Sequence, residues 1–465
     1  MGRFTVTPIS YQEPEKRIKN FDEVCLGYSK EEAVKEAKRC IQCKNPTCVP
    51  GCPVSIDIPG FIKKIAEEDF QSAAQILADY SALPAVCGRV CPQEDQCELT
   101  CILAKRGDPI AIGKLERFAA DWALNEGLKL GKAKESNGHK VAVIGAGPAG
   151  ITCAGELAKE GYQVKIFEAL HEPGGVLVYG IPEFRLPSDD VVQVEIDNLK
   201  ELGVEIETNV IIGRTMTIED IFNEGYESIF IGSGAGLPIF MDIPGENANG
   251  VLSANEFLTR NNLMKAFRDD SETPIRVGEK VAVVGGGNVA MDAARTAKRL
   301  GADVHVIYRR TKDELPAREE EVENAIEEGI EFEFLTSPTE VLLNDDGWVK
   351  GIKCIRMELG EEDESGRRRP LAVEDSEFDF DVDTVIMALG TSPNPLIPNT
   401  TEGLESDDWN RIITLNDNGE TSKSGIYAGG DNVTGSATVI LAMGAGKEAA
   451  KEIDRFIKEN SKELA

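Results

Sequence analysis

Val141-Ala-Val-Ile144 is an apolar run that passes straight into Gly145-Ala-Gly147-Pro-Ala-Gly150. Such a run reads as a buried strand. The glycines after it read as a turn whose backbone can approach a pyrophosphate at the N-terminus of a helix, here one ending near Gly161. A second strand, Val164–Phe167, ends at Glu168, a carboxylate suited to accept both ribose hydroxyl protons. Further on, Val281-Ala-Val-Val284 repeats the pattern with Gly285-Gly-Gly287-Asn288-Val-Ala290, alanine standing for the third glycine. This time the second strand, Val304–Tyr308, ends at Arg309 and Arg310. Glutamate would repel a 2'-phosphate and arginine pairs with one, so the second site is expected to prefer NADPH to NADH.

Two more apolar runs close these units. Ser228–Ile231 leads to Gly232-Ser-Gly234-Ala-Gly236, and Thr384–Ala388 leads to Leu389-Gly390-Thr-Ser-Pro393. Gly425-Ile-Tyr-Ala-Gly429-Gly430-Asp431 then reads as another strand ending in an acid, with a helix over 437–456 behind it. The simplest topology inserts the second nucleotide unit into the first. The fold class is therefore α/β: a helical front end over 1–139, a first Rossmann-like domain over 140–245 and 391–465, and a second over 246–390. This brings Asp431 beside the first nucleotide. It also turns the helix start at Ser436–Thr438 toward a flavin ring, whose reduced, negative form its amides would favour.

Of the 11 cysteines, nine precede residue 102, and only Cys153 and Cys354 follow. They form two groups, Cys40-x2-Cys43-x4-Cys48-x3-Cys52-Pro53 and Cys87-x3-Cys91-Pro92-x4-Cys97-x3-Cys101. This crowding reads as metal ligation rather than disulfide scaffolding. With hardly any histidine nearby, the spacing suits thiolates around iron–sulfur clusters better than structural zinc. Ile58–Leu77 reads as two short helices, Pro109–Leu130 as a longer one, and Leu130–Lys140 as a linker. Taken alone, Glu116 is a solvated helix residue. Cys25, Cys153 and Cys354 read as small buried hydrophobes.

The balance of 81 acidic against 50 basic residues, a net charge of -31, disfavours nucleic acid and anionic membrane as partners. No apolar run has transmembrane length, and Met1–Asn20 is too charged for a signal peptide, so a cytoplasmic location is expected. His139, His171 and His305 form no nucleophile or metal constellation. Hydride transfer between nicotinamide and flavin requires none. Two nucleotide sites beside iron–sulfur ligands call for a converter between two-electron and one-electron chemistry, which identifies one dinucleotide as FAD.

The cysteine motifs, Gly145–Gly150, Gly174-Gly175-Val-Leu-Val-Tyr-Gly-Ile-Pro-Glu-Phe-Arg185-Leu-Pro187, Gly285–Asp292 and Gly429–Gly446 together resemble the glutamate synthase small-subunit family. That family includes the large subunit of NADH-dependent reduced ferredoxin:NADP+ oxidoreductases and is similar to the N-terminal half of dihydropyrimidine dehydrogenase. The resemblance implies two [4Fe–4S] clusters, one held by Cys40, Cys43, Cys48 and Cys101. The other would be held by Cys52, Cys91 and Cys97, with Glu116 where a relative has glutamine and Cys87 demoted. It also implies that Gly174, Gly175 and Arg185 lie along the flavin, that Asp431 meets its ribityl–pyrophosphate region, and that Leu315–Arg318 lies near the NADPH. From the residues alone, Arg185 and Arg318 read equally well as surface residues. Arg367–Arg369 reads as a solvated loop, with a docking patch as the alternative.

The expected reaction sequence runs from NADPH to FAD to the clusters. Two outlets fit it. One is an electron-bifurcating complex with a small FAD/[2Fe–2S] subunit, ferredoxin and NAD(H), to which the opening stretch through Gly27-Tyr28 looks closer. The other is a large glutamate synthase subunit. A flavoprotein with purely structural clusters and a zinc-containing dehydrogenase are the competing readings.

Overall fold

In the computed structural model, which describes residues 4–362 and 366–463, two five-stranded parallel sheets carry the chain's longest apolar runs. The first has the order Ile426–Ala428, Ser228–Ile231, Lys140–Ile144, Gln163–Phe167, Glu205–Glu207. The second repeats it with Val251–Ser253, Thr384–Met387, Lys280–Val284, Asp303–Tyr308, Glu331–Phe334. Val141–Ile144 and Val281–Val284 are buried throughout. Strands covered on both faces need continuous apolar sequence, and this is why these runs lack polar alternation.

The chain leaves the first sheet after Ile231 and re-enters it at Ile426. At the crossing, Leu237–Pro238 and Thr391–Ser392 pair antiparallel, so outgoing and returning chains brace each other. An antiparallel sheet absent from the sequence reading extends the second unit: Thr336–Leu343 pairs with Val349–Glu362, flanked by Phe378–Phe380 and Arg368–Ala372. Arg368 and Arg369 thus enter a strand instead of a loop, with Arg367 in the bend before it. All of that strand's residues but Pro370 are exposed, so it carries no apolar run that would announce a strand.

The helical front contains Lys30–Ala37, Ile58–Ala66, Phe70–Tyr80, Pro84–Val90 and Ile112–Asn125. Asp57 and Asp69 start two of them by accepting the N–H groups of Gly60 and Ser72 at 3.1 and 3.2 Å. Its core runs without a break into the first sheet, joining Phe61, Leu77 and Val86 to Val143, Ile151 and Met443. The last helix, Val439–Glu463, is longer than expected and lies against Pro148–Lys159. Gly446 permits that approach, because a Cβ there would overlap the carbonyl oxygen of Ala149. No described helix is long and apolar enough to cross a membrane.

Candidate functional site: two nucleotide turns and two cysteine sets

At the first turn each glycine has a different job. Gly145 has φ +98°, and a Cβ on it would lie 2.5 Å from the Gly232 carbonyl oxygen. A Cβ on Gly150 would overlap the Gly145 carbonyl, so the helix sits tight on the strand only with glycine there. Gly147 has nothing within 4 Å of its would-be Cβ, leaving a cradle at the N-terminus of Pro148–Lys159 that fits a pyrophosphate. Glu168 is buried and fixed by the turn: Ala146 and Leu170 donate backbone N–H bonds to it at 2.7 and 2.8 Å. Burial raises its pKa, against the pull of those bonds.

The Gly174–Gly175 segment leans on the same turn. The Gly174 N–H donates to the Ala146 carbonyl at 2.9 Å, and a Cβ on Gly175 would lie 2.8 Å from the Gly147 Cα. Asp431 follows Gly430, whose φ is +81°, and accepts the Ala437 N–H at 3.2 Å. Burial, then Asp431 and Glu168, pushes Tyr179 up to about 12, which brings all three into one neighbourhood. Thr438 opens the last helix, its hydroxyl accepting the Leu441 N–H at 3.4 Å.

In the second turn a Cβ on Gly285 (φ +145°) would overlap the Ala388 carbonyl, while Gly287 again faces open space. Ala290 is fully buried in the place of the third glycine. Arg309 is exposed at the strand end. Arg310 departs from the expected arginine pair: it is buried, and its Nε donates to the Arg368 carbonyl at 2.7 Å. Asn288 uses its side-chain oxygen to accept the Arg318 N–H at 3.0 Å.

Arg185 and Arg318 are not surface residues. Arg185 pairs with Asp292 at 2.6 Å and Glu321 at 3.1 Å, so its guanidinium faces the second unit rather than the first turn. Around it Arg295 and Arg299 hold Glu328, which also pairs with Arg17 from the chain's first helix at 2.8 Å. No local pattern in the sequence announced this network.

The cysteines separate by depth. Cys40, Cys43, Cys48 and Cys101 are half-buried and line one cavity with Ile58, Ile62 and Ile110. The Thr47 hydroxyl ties the two loops together by donating to the Thr100 carbonyl at 2.5 Å. No acidic residue occurs between Ala37 and Ile56 or between Leu99 and Gly107. In those stretches Lys38, Lys44, Lys105 and Arg106 are exposed, with Ile41, Leu99 and Ile102.

Cys52, Cys87, Cys91 and Cys97 are buried. Glu116, against the solvated reading, is buried with them, and its Oε1 has no hydrogen-bond partner. Burial, then Glu195, pushes its pKa up to about 8. It is also among the charges that raise the Cys52 and Cys97 thiols, after burial. Cys87 lies 3.4 Å from the Met443 sulfur. Among the described residues no three His, Cys, Asp or Glu side chains close on a single-ion point; the outer sulfurs ring a cavity instead. Four thiols on one apolar cavity, with no histidine among its lining residues, fit an iron–sulfur cluster.

Residues 17–128 match the family described as dihydropyrimidine dehydrogenase domain II, 4Fe-4S cluster, and residues 139–446 match pyridine nucleotide-disulphide oxidoreductase. With the geometry above, these define an FAD- and NAD(P)H-dependent oxidoreductase carrying an iron–sulfur module. The glutamate synthase (NADPH) small chain of Halomonas elongata is 38% identical over 462 residues, 97% of each chain. The NADPH-Fe(3+) oxidoreductase subunit beta of Geobacter sulfurreducens is 38% identical over 440 residues, 89% of this chain and 64% of that one. Mycobacterium tuberculosis FprA in complex with NADPH shares the fold at 18% identity and TM-score 0.58, over 70% of this chain and 86% of that one. The chain belongs to the glutamate synthase small-chain family.

Proposed function

We propose that this protein is the NADPH-linked subunit of an electron-bifurcating ferredoxin:NADP+ oxidoreductase. In this reading Gly145, Gly147, Gly150, Glu168, Gly174, Gly175, Asp431 and Thr438 hold FAD. Gly285, Gly287 and Asn288 hold the NADP(H) pyrophosphate, and Arg309 meets its 2'-phosphate. Bound FAD supplies the change between two-electron exchange with nicotinamide and one-electron exchange with iron–sulfur clusters. Glu168 orients a ribose, and the amides that open the last helix favour negative charge beside the first turn.

Two [4Fe–4S] clusters complete the assignment, the outer on Cys40, Cys43, Cys48 and Cys101. The inner lies on Cys52, Cys91, Cys97 and Glu116, supported by the orphaned Glu116 oxygen. A carboxylate is a harder ligand than a thiolate and shifts a cluster's potential. The three segments 1–139, 140–245 with 391–465, and 246–390 serve these three roles. Cysteines kept for cluster ligation rather than for disulfides suit the reducing cytoplasm.

The outlet rests on one observation: in a chain of net charge -31, the outer set has a rim with lysine, arginine and exposed apolar side chains but no carboxylate in its flanking stretches. Such a rim suits an acidic one-electron carrier such as ferredoxin, with a small FAD/[2Fe–2S] subunit and NAD(H) completing the complex. The near full-length match to glutamate synthase small chains supports a second reading, delivery to a large glutamate synthase subunit. Anaerobic native purification decides between them. A small flavoprotein with its own [2Fe–2S] site is the expected companion; a large glutaminase-bearing chain would replace the first reading with the second.

A further inference from the structure

Arg318 is buried where the second nucleotide unit meets the inner cysteine set, and it reaches both. Its backbone N–H donates to the Asn288 side-chain oxygen at 3.0 Å, and Asn288 is the first residue of the helix that follows the second glycine turn. The preceding Leu315 packs so close that a Cβ on Gly286 would fall 2.8 Å from it. At the other end, the guanidinium donates to Glu94 at 2.8 and 3.2 Å, to the Gln93 side-chain oxygen at 3.1 Å and to the Arg89 carbonyl at 3.2 Å. A further bond to Glu320 at 3.3 Å secures the fork.

Gln93 and Glu94 belong to the short turn between Cys91 and Cys97. The Gln93 side chain donates to the Cys87 carbonyl at 3.1 Å, the same oxygen that accepts the Cys91 N–H at 3.1 Å. Gln93 is also wedged against Gly113, at the start of the helix that carries Glu116, where a Cβ would collide with the Gln93 amide. A short line of hydrogen bonds therefore runs from the nucleotide turn to the loop bearing the inner cysteines. Arg318 and Gln93 are both buried on it, and Glu94 is the half-exposed member.

We propose that Arg318 is a positioning residue that couples occupancy of the second nucleotide turn to the reduction potential of the inner cluster. A nucleotide bound across Gly285–Asn288 fixes Asn288, and Asn288 holds the Arg318 backbone. The guanidinium is then kept firmly on the Gln93–Asp95 turn, where its positive charge favours the electron gained on reduction. The phosphates of the nucleotide act in the opposite sense through space, and only Arg318 gives an upward shift. Linkage makes the effect mutual: reduction of the inner cluster tightens nucleotide binding by the same factor. A tenfold coupling corresponds to about 59 mV for a one-electron couple.

The proposal rests on the inner set holding an iron–sulfur cluster. The test is an EPR-monitored redox titration of the complete protein with and without saturating 2'-phospho-ADP-ribose. This probe carries the pyrophosphate and 2'-phosphate but cannot accept hydride. The expected result is an upward shift of about 59 mV in the natural protein, and none or a downward one in Arg318→Met. Glu94→Gln, which weakens the fork at its half-exposed partner, is expected to shrink the shift. An unshifted or lowered potential in the natural protein overturns the proposal, as does an upward shift that survives in an Arg318→Met protein of full iron content. Failure of the cluster assignment itself would look different: no inner-cluster signal and a deficit of iron in the natural protein.

Discussion

The first and second parallel sheets share strand order and the same turn, with one glycine facing open space in each, yet they are finished differently. The first packs its helix so tightly that only glycine fits at 150; the second accommodates Ala290. The first ends its second strand in a buried carboxylate gripped by backbone N–H groups, the second in an exposed arginine. Buried acids near the first, such as Glu168 and Glu195, have raised pKa values. In the second, arginines hold down Glu321 and Glu328, while at Asp292 burial outweighs the pull of Arg185 and raises the pKa to about 6. One architecture thus serves two nucleotides because the few residues at strand ends and helix starts, not the strands themselves, set the charge and the clearance.

The packing contrast is the first to break. Gly150→Ala is expected to cost about 3 kcal/mol, the upper end of ordinary overpacking, because the new methyl meets backbone rather than a flexible side chain. Ala290→Gly is expected to cost about 1 kcal/mol, from helix propensity. Hydrogen exchange resolved by sheet checks both; equal losses would mean that the two turns are packed alike.

The charge contrast comes next. Arg309→Ala is expected to weaken NADPH binding about 10- to 100-fold, the worth of a charged hydrogen bond of about 1.5–3 kcal/mol, and to leave NADH unchanged. Steady-state kinetics with both nucleotides measures it, and an unaltered preference would remove Arg309 from the site.

The smallest effect is on pH dependence. Burial pushes Glu195 up to about 8 although Ala85 and Val86 donate to it, so its contribution is complete below its ordinary value of 4.5 and is lost as pH rises toward 8. Burial works against the Glu328 carboxylate as well, yet Arg295 and Arg299 hold it at about 2, so its contribution is present above 4.5 and lost as pH falls toward 2. Glu195→Gln is therefore expected to flatten the fall in Tm between pH 5 and 8 and to leave the acid limb unchanged. A variant that melts with the original pH profile would show that Glu195 is not the group responsible.

The strands, turns and helix starts were legible because each is written in consecutive residues: four apolar positions, then glycines, then Glu168 or Arg309. The cysteine sets were legible as ligands by spacing, but not their depth. Cys48 and Cys52 belong to one sequence motif, yet one is half-buried at a cavity mouth and the other is in the core. From the residues alone Glu116 was misjudged and Arg185 and Arg318 were left open, because what buries them comes from distant segments. Arg318 and Glu94 pair across 224 positions, and Arg17 and Glu328 across 311. A charge buried by such a partner looks, along the chain, like any solvated charge.

The account stands or falls on whether nicotinamide electrons reach the inner cysteine set. The direct measurement is anaerobic mixing of the FAD- and iron-loaded protein with NADPH or NADH, following flavin absorbance and freezing samples for EPR. The account predicts that NADPH, far more readily than NADH, bleaches the flavin and produces a reduced-cluster signal. Flavin bleached by NADPH with no electron appearing on any cluster, or equal reduction by the two nucleotides, would contradict it.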